Sequence, residues 1–236
     1  MLIAAFPAGP WGTNCYVAAT AAGAECIVID PGKDAAPGVA EVVREHHLKP
    51  VAVLLTHGHI DHMWSVTPVA GAYDATAWIH PGDRHLLTDP MAGMSRESAG
   101  MLLGGDYEFT EPDDVQELGD AQTMELAGLE FVVDHTPGHT AGSVTFRTPY
   151  GEQDVSELMF SGDLLFQGSI GRTDLPGGDH PTILRSLRDK VLPLADDVVV
   201  LPGHGDQTSI GRERATNPFL LDLLDTGDAA RVTRGL

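Results

Sequence analysis

Short apolar segments that end in polar turns recur along this chain, and such segments are typical of β-strands. They span residues 25–29, 51–55, 75–79, 129–133, 157–160 and 198–201. Each is followed by glycine, proline, histidine or aspartate, which are residue types that favour turns or carry chemistry. Because these turns all follow the carboxyl ends of their segments, we predict that the loops converge on one edge of a sheet.

Two segments between the predicted strands have apolar residues at the spacing typical of helices. Val39, Val42 and Val43 share one face of a predicted helix over residues 36–48, which stops before Pro50. A second predicted helix covers residues 181–191 and has a proline in its first turn. Strands mixed with helices in this way predict a layered α/β fold, and we expect a single domain over residues 1–236.

Composition and charge narrow the classes of partner. The chain has 236 residues, of which 42% are hydrophobic, so it can form a substantial core. Lys plus Arg is 14 and Asp plus Glu is 34, giving a net charge of −20. A field of this sign repels nucleic acid and anionic membranes, so we expect neither as a partner. The oligomeric state is left open.

The compartment is also predicted from what the sequence contains. The N-terminal residues show no basic region followed by an apolar core, so no signal peptide is expected. Apolar stretches are all shorter than a membrane-spanning segment. Two cysteines are too few for a disulfide framework. Together these features predict a cytoplasmic protein in a reducing environment.

The densest group of metal-binding side chains directly follows the apolar segment 51–55. Residues 56–62 read Thr-His-Gly-His-Ile-Asp-His. In an extended chain His57 and His59 point the same way and can reach one metal. Asp61 and His62 come after the chain has begun to turn, so they can reach a second metal nearby. Neutral imidazoles with a carboxylate are ligands that Zn²⁺ and Fe²⁺ prefer. The segment therefore predicts a metal site rather than a histidine-rich surface loop.

Three further candidate ligands, His139, Asp163 and His204, follow other predicted strands. The complete order is His-x-His-x-Asp-His, then a histidine, an aspartate and a final histidine. This order resembles the metallo-β-lactamase fold superfamily, and the resemblance extends from about Asn14 to Phe219. It implies an αββα sandwich with the metals at the edge between two sheets.

The resemblance also implies a role for each ligand. It gives three ligands to each of two metals and one aspartate to both: His57, His59 and His139 for the first, Asp61, His62 and His204 for the second, and Asp163 as the bridge. A bridging carboxylate reduces the repulsion between two cations about 3.5–4 Å apart. We expect two divalent ions, with zinc as the first choice and iron or manganese as alternatives for the same donors.

Shorter stretches resemble one group within the superfamily. Residues 13–16, 162–166 and 171–174 look like the glyoxalase II group of thioester hydrolases, and residues 171–178 and 211–219 look like its short, single-domain bacterial branch. The longer members of the group add a C-terminal helical domain that grips glutathione. Here 32 residues follow His204 (236 − 204), so we expect that domain to be missing. The thiol carrier is left open between glutathione, another small thiol and a different acyl carrier.

The function implied by this resemblance is a metal-dependent hydrolase that cleaves a small thioester, such as S-D-lactoylglutathione. A metal-bridging hydroxide would attack the carbonyl carbon. The thiol that leaves has a pKa of about 8.5, so no strong general acid is needed. Asp163 and Asp61 would be catalytic, the first as the bridge and the second in orienting the nucleophile. Arg172 is a candidate contact for a substrate carboxylate, and a structural ion pair is the alternative.

The main alternative is a persulfide dioxygenase, a class that shares the fold and the Gly-Arg-Thr-Asp stretch but binds one Fe²⁺. His57, His139 and Asp163 would then form a two-histidine, one-carboxylate set with positions open for O₂ and substrate. The stretch around Asn14 and the C-terminal residues favour the hydrolase. A β-lactamase, a nuclease and a non-catalytic binding module rank lower, the nuclease because of the net charge of −20.

Some residues near these motifs have two open interpretations. Asp30 could accept a hydrogen bond from a ligating imidazole or simply cap its turn. Asn14 and Tyr16 could line the substrate pocket. Three methionines in the least regular region could form an apolar lid or a satellite core: Met91, Met94 and Met101.

Overall fold

The computed structural model describes residues 1–95, 107–152 and 154–233, and these residues form two six-stranded sheets. The first sheet pairs β1 (Leu2–Ala8), β2 (Thr13–Ala19), β3 (Glu25–Ile29), β4 (Lys49–Leu54), β5 (Thr76–Ile79) and β6 (Val115–Glu117) in that order. The second pairs β14 (Thr208–Ser209), β13 (Val199–Pro202), β10 (Val155–Gly162), β9 (Val144–Glu152), β8 (Leu129–His135) and β7 (Gln122–Leu126). A small hairpin of β11 (Leu165–Phe166) and β12 (Ser169–Ile170) follows β10.

The helices lie between the strands. The first half contains α1 (Ala35–His46), α2 (Ile60–Met63), α3 (Val66–Tyr73) and the 3₁₀ turns Arg84–Leu87 and Pro90–Gly93. The second half contains α4 (His180–Ser186), a π-helical turn (Leu187–Val191), α5 (Ile210–Thr216) and α6 (Pro218–Thr233). None of the described helices combines the length and the apolar character needed to cross a lipid bilayer.

The six apolar segments and both helical segments of the sequence are confirmed. The apolar segments lie in β3, β4, β5, β8, β10 and β13. The helix predicted over residues 36–48 is α1, which ends where His47 adopts a left-handed conformation (φ 54°). The helix predicted over residues 181–191 is α4 together with the π-helical turn.

Side-chain alternation along the strands shows the layers. In β3, Cys26 and Val28 pack in one core cluster with residues of α1 and α3, whereas Ile27 and Ile29 pack in a second cluster between the sheets. In β10, Phe160 packs between the sheets and Met159 packs with α4 on the outer face of the second sheet. Successive residues of a strand point to opposite faces, so both faces of each sheet are covered. The fold is therefore the predicted αββα sandwich, and one domain over residues 1–236 stays a prediction.

The edge where the two sheets meet is held by backbone hydrogen bonds. The carboxyl ends of the parallel neighbours β3 and β4 lie there, as do those of β10 and β13. The N–H of Val144 donates to the carbonyl of Thr56 (2.8 Å), and the N–H of Asn14 donates to the carbonyl of Gly203 (2.7 Å). Loops from both sheets therefore converge on one edge, as the sequence predicts.

Candidate metal centre

The seven predicted ligands come together at this edge, although they lie on four separate segments of the chain. Their donor atoms form three overlapping groups, each with all atoms within 4.8 Å of one another: His57, His59 and His139; His57, His62 and Asp163; and Asp61, His62 and His204. Because the groups share members, the seven side chains form one continuous cluster with room for two neighbouring centres.

The first half of the cluster consists of His57, His59 and His139. The Nδ1 atom of His59 lies 2.9 Å from the Nε2 atom of His139. Burial, together with the neighbouring imidazoles of His62 and His139, holds the pKa of His57 well below its usual range. Burial and the imidazole of His139 lower the pKa of His59 to about 3. The imidazoles of His57 and His59 are therefore neutral and offer lone pairs rather than protons.

A buried aspartate at the end of β3 fixes the orientation of two imidazoles. Asp30 accepts hydrogen bonds from the N–H of Thr56 (2.8 Å), the hydroxyl of Thr56 (2.6 Å) and Nδ1 of His62 (2.9 Å). Since the hydroxyl of Thr56 donates to Asp30, its lone pair accepts from Nδ1 of His57, 3.1 Å away. Both His57 and His62 thus turn Nε2 towards the cluster. Of the two interpretations of Asp30, the hydrogen bond to an imidazole is the one confirmed.

The second half of the cluster combines Asp61, His62 and His204. Nε2 of His204 lies 3.1 Å from Oδ2 of Asp61 and 3.3 Å from Nε2 of His62. Burial alone would raise the pKa of Asp61, but the imidazoles of His62 and His204 outweigh burial and lower this pKa. The pKa of His62 is raised, because Asp163, Asp61 and Asp30 outweigh the effect of its burial. The carboxylates around this half therefore favour positive charge at its centre, whether a proton on an imidazole or a bound cation.

Asp163 stands between the two halves. Its Oδ1 atom is 3.3 Å from Nε2 of His62, and its Oδ2 atom is 3.5 Å from Nε2 of His139 and 3.7 Å from Nε2 of His204. Burial would raise the pKa of Asp163, but the three imidazoles outweigh burial and lower this pKa, so the side chain is a carboxylate. Its two oxygens can each serve one half, as a bridging ligand requires.

The spacing of the donor atoms matches that of ligands around a metal ion, and several of these atoms lack hydrogen-bond partners. Donors around a tetrahedral zinc, with bonds of about 2.0–2.1 Å, lie roughly 3.3 Å apart, close to the spacings of the cluster. Three buried atoms of these seven side chains have no hydrogen-bond partner among the described residues: Nε2 of His57, Nε2 of His59 and Oδ1 of Asp163. An unpaired buried donor or acceptor costs about 1–3 kcal/mol, which a bound cation would recover. Histidine and aspartate donors of this kind suit zinc, iron and manganese alike.

At two glycines the backbone lies so close to the ligands that a side chain would not fit. A Cβ atom on Gly203 would collide with Oδ1 of Asp163 and would lie 2.6 Å from Cε1 of His62. A Cβ atom on Gly171 would collide with the carbonyl oxygen of Asp163 and would lie 3.2 Å from Nδ1 of His139. These positions leave no space for a side chain, so glycine is required for the ligands to keep their places.

Arg172 contacts the cluster through its backbone, whereas its side chain forms an ion pair with a neighbouring residue. Its carbonyl oxygen accepts a hydrogen bond from Nδ1 of His139 (2.7 Å), which turns Nε2 of His139 towards the cluster. Its guanidinium forms two hydrogen bonds of 2.7 Å with the exposed Asp174. The structural ion pair is thus present, and contact between Arg172 and a substrate stays a prediction.

Asn14 and Tyr16 support the loop that carries His204. Nδ2 of Asn14 donates to the carbonyls of Pro202 (3.0 Å) and Gly205 (2.9 Å). The hydroxyl of Tyr16 donates to the same carbonyl of Pro202 (2.7 Å). Their polar ends hold this loop, and a role for Asn14 and Tyr16 in lining the substrate pocket stays a prediction.

A cavity of about 770 Å³ opens beside the cluster. His59, Asp61, His139, Asp163 and His204 lie in its wall, so both halves of the cluster are reached from it. The remaining lining residues are mostly apolar: Pro10, Trp11, Ile60, Gly93, Met94, Ser95, Phe166, Ser169, Ile170, Arg172 and Leu175. The volume is in the range of small-molecule sites.

One wall of the cavity is the β11–β12 hairpin, which the C-terminal helices hold in place. The buried carboxylate of Glu213 in α5 accepts hydrogen bonds from the N–H of Gly168 (2.7 Å) and from the side chains of Thr208 (2.6 Å) and Asn217 (2.9 Å). Nδ2 of Asn217 also donates to the carbonyl of Ser169 (3.0 Å). Sequence reasoning missed this support, because nothing in the local pattern marks Glu213 as buried.

The methionines of the irregular region divide between the two interpretations. Met91 and Met94 pack against the core cluster on the outer face of the first sheet, as a satellite core would. Met94 also lines the cavity, as a lid would. Met101 lies outside the described residues.

Comparison with known proteins agrees with the geometry. A family model of the metallo-beta-lactamase superfamily matches residues 8–204. An uncharacterized protein of Mycobacterium tuberculosis is 46% identical over 221 residues, which cover 93% of this chain and 98% of that protein. Hydroxyacylglutathione hydrolase GloC of Haemophilus influenzae is 34% identical over 196 residues, which cover 82% of this chain and 86% of that protein.

Solved structures show the same similarity. The crystal structure of the BLEG-1 B3 metallo-beta-lactamase has a TM-score of 0.79 and 38% identity, and the match covers 93% of this chain and 99% of that one. The structure of TTHA1623 in a di-iron-bound form has a TM-score of 0.73 and 37% identity, covering 92% and 100%. The sandwich, the clustered ligands and a family match over most of the length lead to one conclusion: the chain belongs to the metallo-beta-lactamase superfamily.

Proposed function

We propose that this protein is a dinuclear metal-dependent hydrolase that cleaves a small thioester, of which S-D-lactoylglutathione is the first candidate. The observation that carries the proposal is a series of three overlapping ligand groups, which share His57 and His62 and of which the middle one contains Asp163. One metal does not need seven donors. His57, His59 and His139 would hold one ion, Asp61, His62 and His204 the other, and Asp163 both. The hydroxyacylglutathione hydrolase among the relatives supports the choice of a thioester.

Two bound ions would supply a hydroxide near neutral pH and polarise the substrate carbonyl. The residues of the chain position the reaction around them. Asp30, directly for His62 and through Thr56 for His57, keeps Nε2 of both imidazoles facing the cluster. Asp61 borders the cavity and contacts His204. We therefore assign to Asp61 the role of orienting the nucleophile. The apolar wall formed by Phe166 and Ile170 keeps bulk water away from the thioester.

The identity of the metals is part of the proposal. Zinc is the first choice, because neutral imidazoles and carboxylates form its usual ligand set. Iron is supported by the di-iron form of TTHA1623, and manganese accepts the same donors.

The persulfide dioxygenase is the alternative within the same fold, with His57, His139 and Asp163 around one Fe²⁺. A single-iron site would leave a further group of three donors without a metal: Asp61, His62 and His204. This observation favours the hydrolase. A β-lactamase is tested alongside, because a B3 metallo-beta-lactamase is 38% identical in sequence and similar in structure.

One experiment separates these activities. Purified protein is analysed for bound metals and assayed with S-D-lactoylglutathione, thioesters of other small thiols, a chromogenic cephalosporin and glutathione persulfide with an oxygen electrode. We expect two metals per chain, thioester cleavage and loss of cleavage on chelation, with recovery when metal is restored. One iron per chain with oxygen uptake would instead establish the dioxygenase, and β-lactam opening without thioester cleavage would establish a β-lactamase.

Arg172→Ala tests the predicted substrate contact. If the guanidinium binds a carboxylate of the thiol carrier, KM should rise about tenfold, or about 1.4 kcal/mol, with kcat little changed. Metal content should stay the same, since the backbone carbonyl that accepts from His139 is retained. Asp174→Ala is the matched control, because it removes the ion pair and keeps the guanidinium. An unchanged KM in Arg172→Ala would limit the side chain to a structural role.

A further inference from the structure

A buried aspartate outside the seven ligands connects the loops that carry the first half of the cluster. Asp83 follows β5 and directly precedes the 3₁₀ turn Arg84–Leu87, and its side chain is 1% exposed. Its Oδ2 atom accepts hydrogen bonds from the N–H of Gly58 (2.9 Å) and the hydroxyl of Thr140 (2.6 Å). Its Oδ1 atom accepts from the N–H of Gly142 (2.7 Å). All three donors are neutral groups of two other loops.

Two of these donors lie next to predicted metal ligands in the sequence. Gly58 lies between His57 and His59, and Thr140 directly follows His139. One carboxylate therefore contacts the chain next to every ligand of the first half. Among the described contacts, Asp83 accepts no hydrogen bond from the second half, which is formed by Asp61, His62 and His204.

The three loops also approach one another too closely for side chains. A Cβ atom on Gly142 would lie 2.6 Å from Cγ of Asp83, and one on Gly58 would lie 2.9 Å from the carbonyl oxygen of Asp83. A single charged acceptor that holds three donors in such close packing has one defined position. Two loops from different sheets are thereby fixed relative to each other.

We propose that Asp83 is a positioning residue that sets the affinity of the first half of the cluster, His57, His59 and His139, for its metal ion without contacting the ion. This inference rests on the metal centre of the proposed function and is independent of the substrate. An asparagine at this position would place an amide N–H₂ either against the two donors at Oδ2 or against the single donor at Oδ1, so the loops would separate. Outer hydrogen-bond partners of metal ligands typically contribute 10- to 100-fold to metal affinity.

The test measures zinc binding to the full chain by competition with a chromophoric chelator, with no substrate present. His204→Ala removes a ligand of the second half, and His59→Ala removes a ligand of the first half. Asp83→Asn in the His204→Ala protein should weaken the remaining zinc site about 10- to 100-fold. Asp83→Asn in the His59→Ala protein should change the remaining site by less than about twofold. Asp89→Asn, at an exposed position six residues later, is the control.

Thr140→Val is the second variant, because it keeps the shape of the side chain and removes one donor to Asp83. It should weaken zinc binding in the same direction and by a smaller factor, and it covers the case in which Asp83→Asn does not fold. Equal weakening in both backgrounds, or none in either, would overturn the proposal. Failure of the thioester assay would leave these binding constants valid, so the two hypotheses can fail separately.

Discussion

Asp163→Ala is expected to abolish most of the thioester hydrolysis and to remove at least one of the two metals. Asp163 contacts His62, His139 and His204 across both halves of the cluster, so alanine would leave two cations without their shared carboxylate. We expect kcat/KM to fall by about 10³-fold or more, which corresponds to about 4 kcal/mol of transition-state stabilisation. Elemental analysis and steady-state kinetics on the same preparation measure both effects.

The control for this variant is Asp113→Ala, which removes an equal charge at an exposed position away from the cluster. Its metal content and kcat/KM should match those of the unmodified protein. Circular dichroism shows whether the Asp163→Ala protein keeps its secondary structure, so that loss of metal is separated from loss of the fold. An Asp163→Ala protein with two metals and an unchanged rate would refute the bridging role.

Gly203→Ala should disrupt the metal centre although it changes no ligand. The added methyl group would collide with Oδ1 of Asp163 and press on His62. The backbone cannot move away easily, because the N–H of Gly203 donates to the carbonyl of Gly162 (2.9 Å) and its carbonyl accepts from Asn14 (2.7 Å). Overpacking of this kind costs about 1–3 kcal/mol, so we expect metal affinity to fall about 10- to 100-fold.

Gly71→Ala makes the same chemical change in open space and is the matched control. Gly71 lies in α3, and an added Cβ atom there has no neighbour within 4 Å. Alanine in a helix is more favourable than glycine by up to about 1 kcal/mol, so this variant should be as stable as the parent or more stable. Zinc titration of both variants compares them directly. Full metal affinity in Gly203→Ala would show that the close approach does not constrain the ligands.

The sequence predicted those elements whose pattern is local. Val39, Val42 and Val43 mark α1, and the uninterrupted apolar segments mark strands with two buried faces, such as β3 and β4. The strands β1 and β9 were not recognised, because both include a proline and exposed positions that interrupt the apolar pattern. They are strands because neighbouring strands bind their backbones, which is a property of the sheet.

Residues that support the site were harder to predict than its candidate ligands. Asn14 and Tyr16 were considered as pocket residues, and the structure shows that their polar ends hold the His204 loop. Asp83 and Glu213 are buried carboxylates, and each accepts a hydrogen bond from a backbone N–H at least 45 residues away along the chain. Their sequence neighbourhoods contain only ordinary turn and helix residues, so burial could not be inferred from local pattern.

The sequence by itself determined the order of the candidate ligands, the class of chemistry that histidines and aspartates permit, and the local strand and helix patterns. These properties depend on residue type and on short-range spacing, which the chain carries in one dimension. Only the tertiary structure decided which nitrogen of His57, His62 and His139 faces the cluster, because the partners of the other nitrogen lie on separate segments. It also decided where no side chain fits, as at Gly203, since steric contact between distant segments exists only after the two sheets have packed.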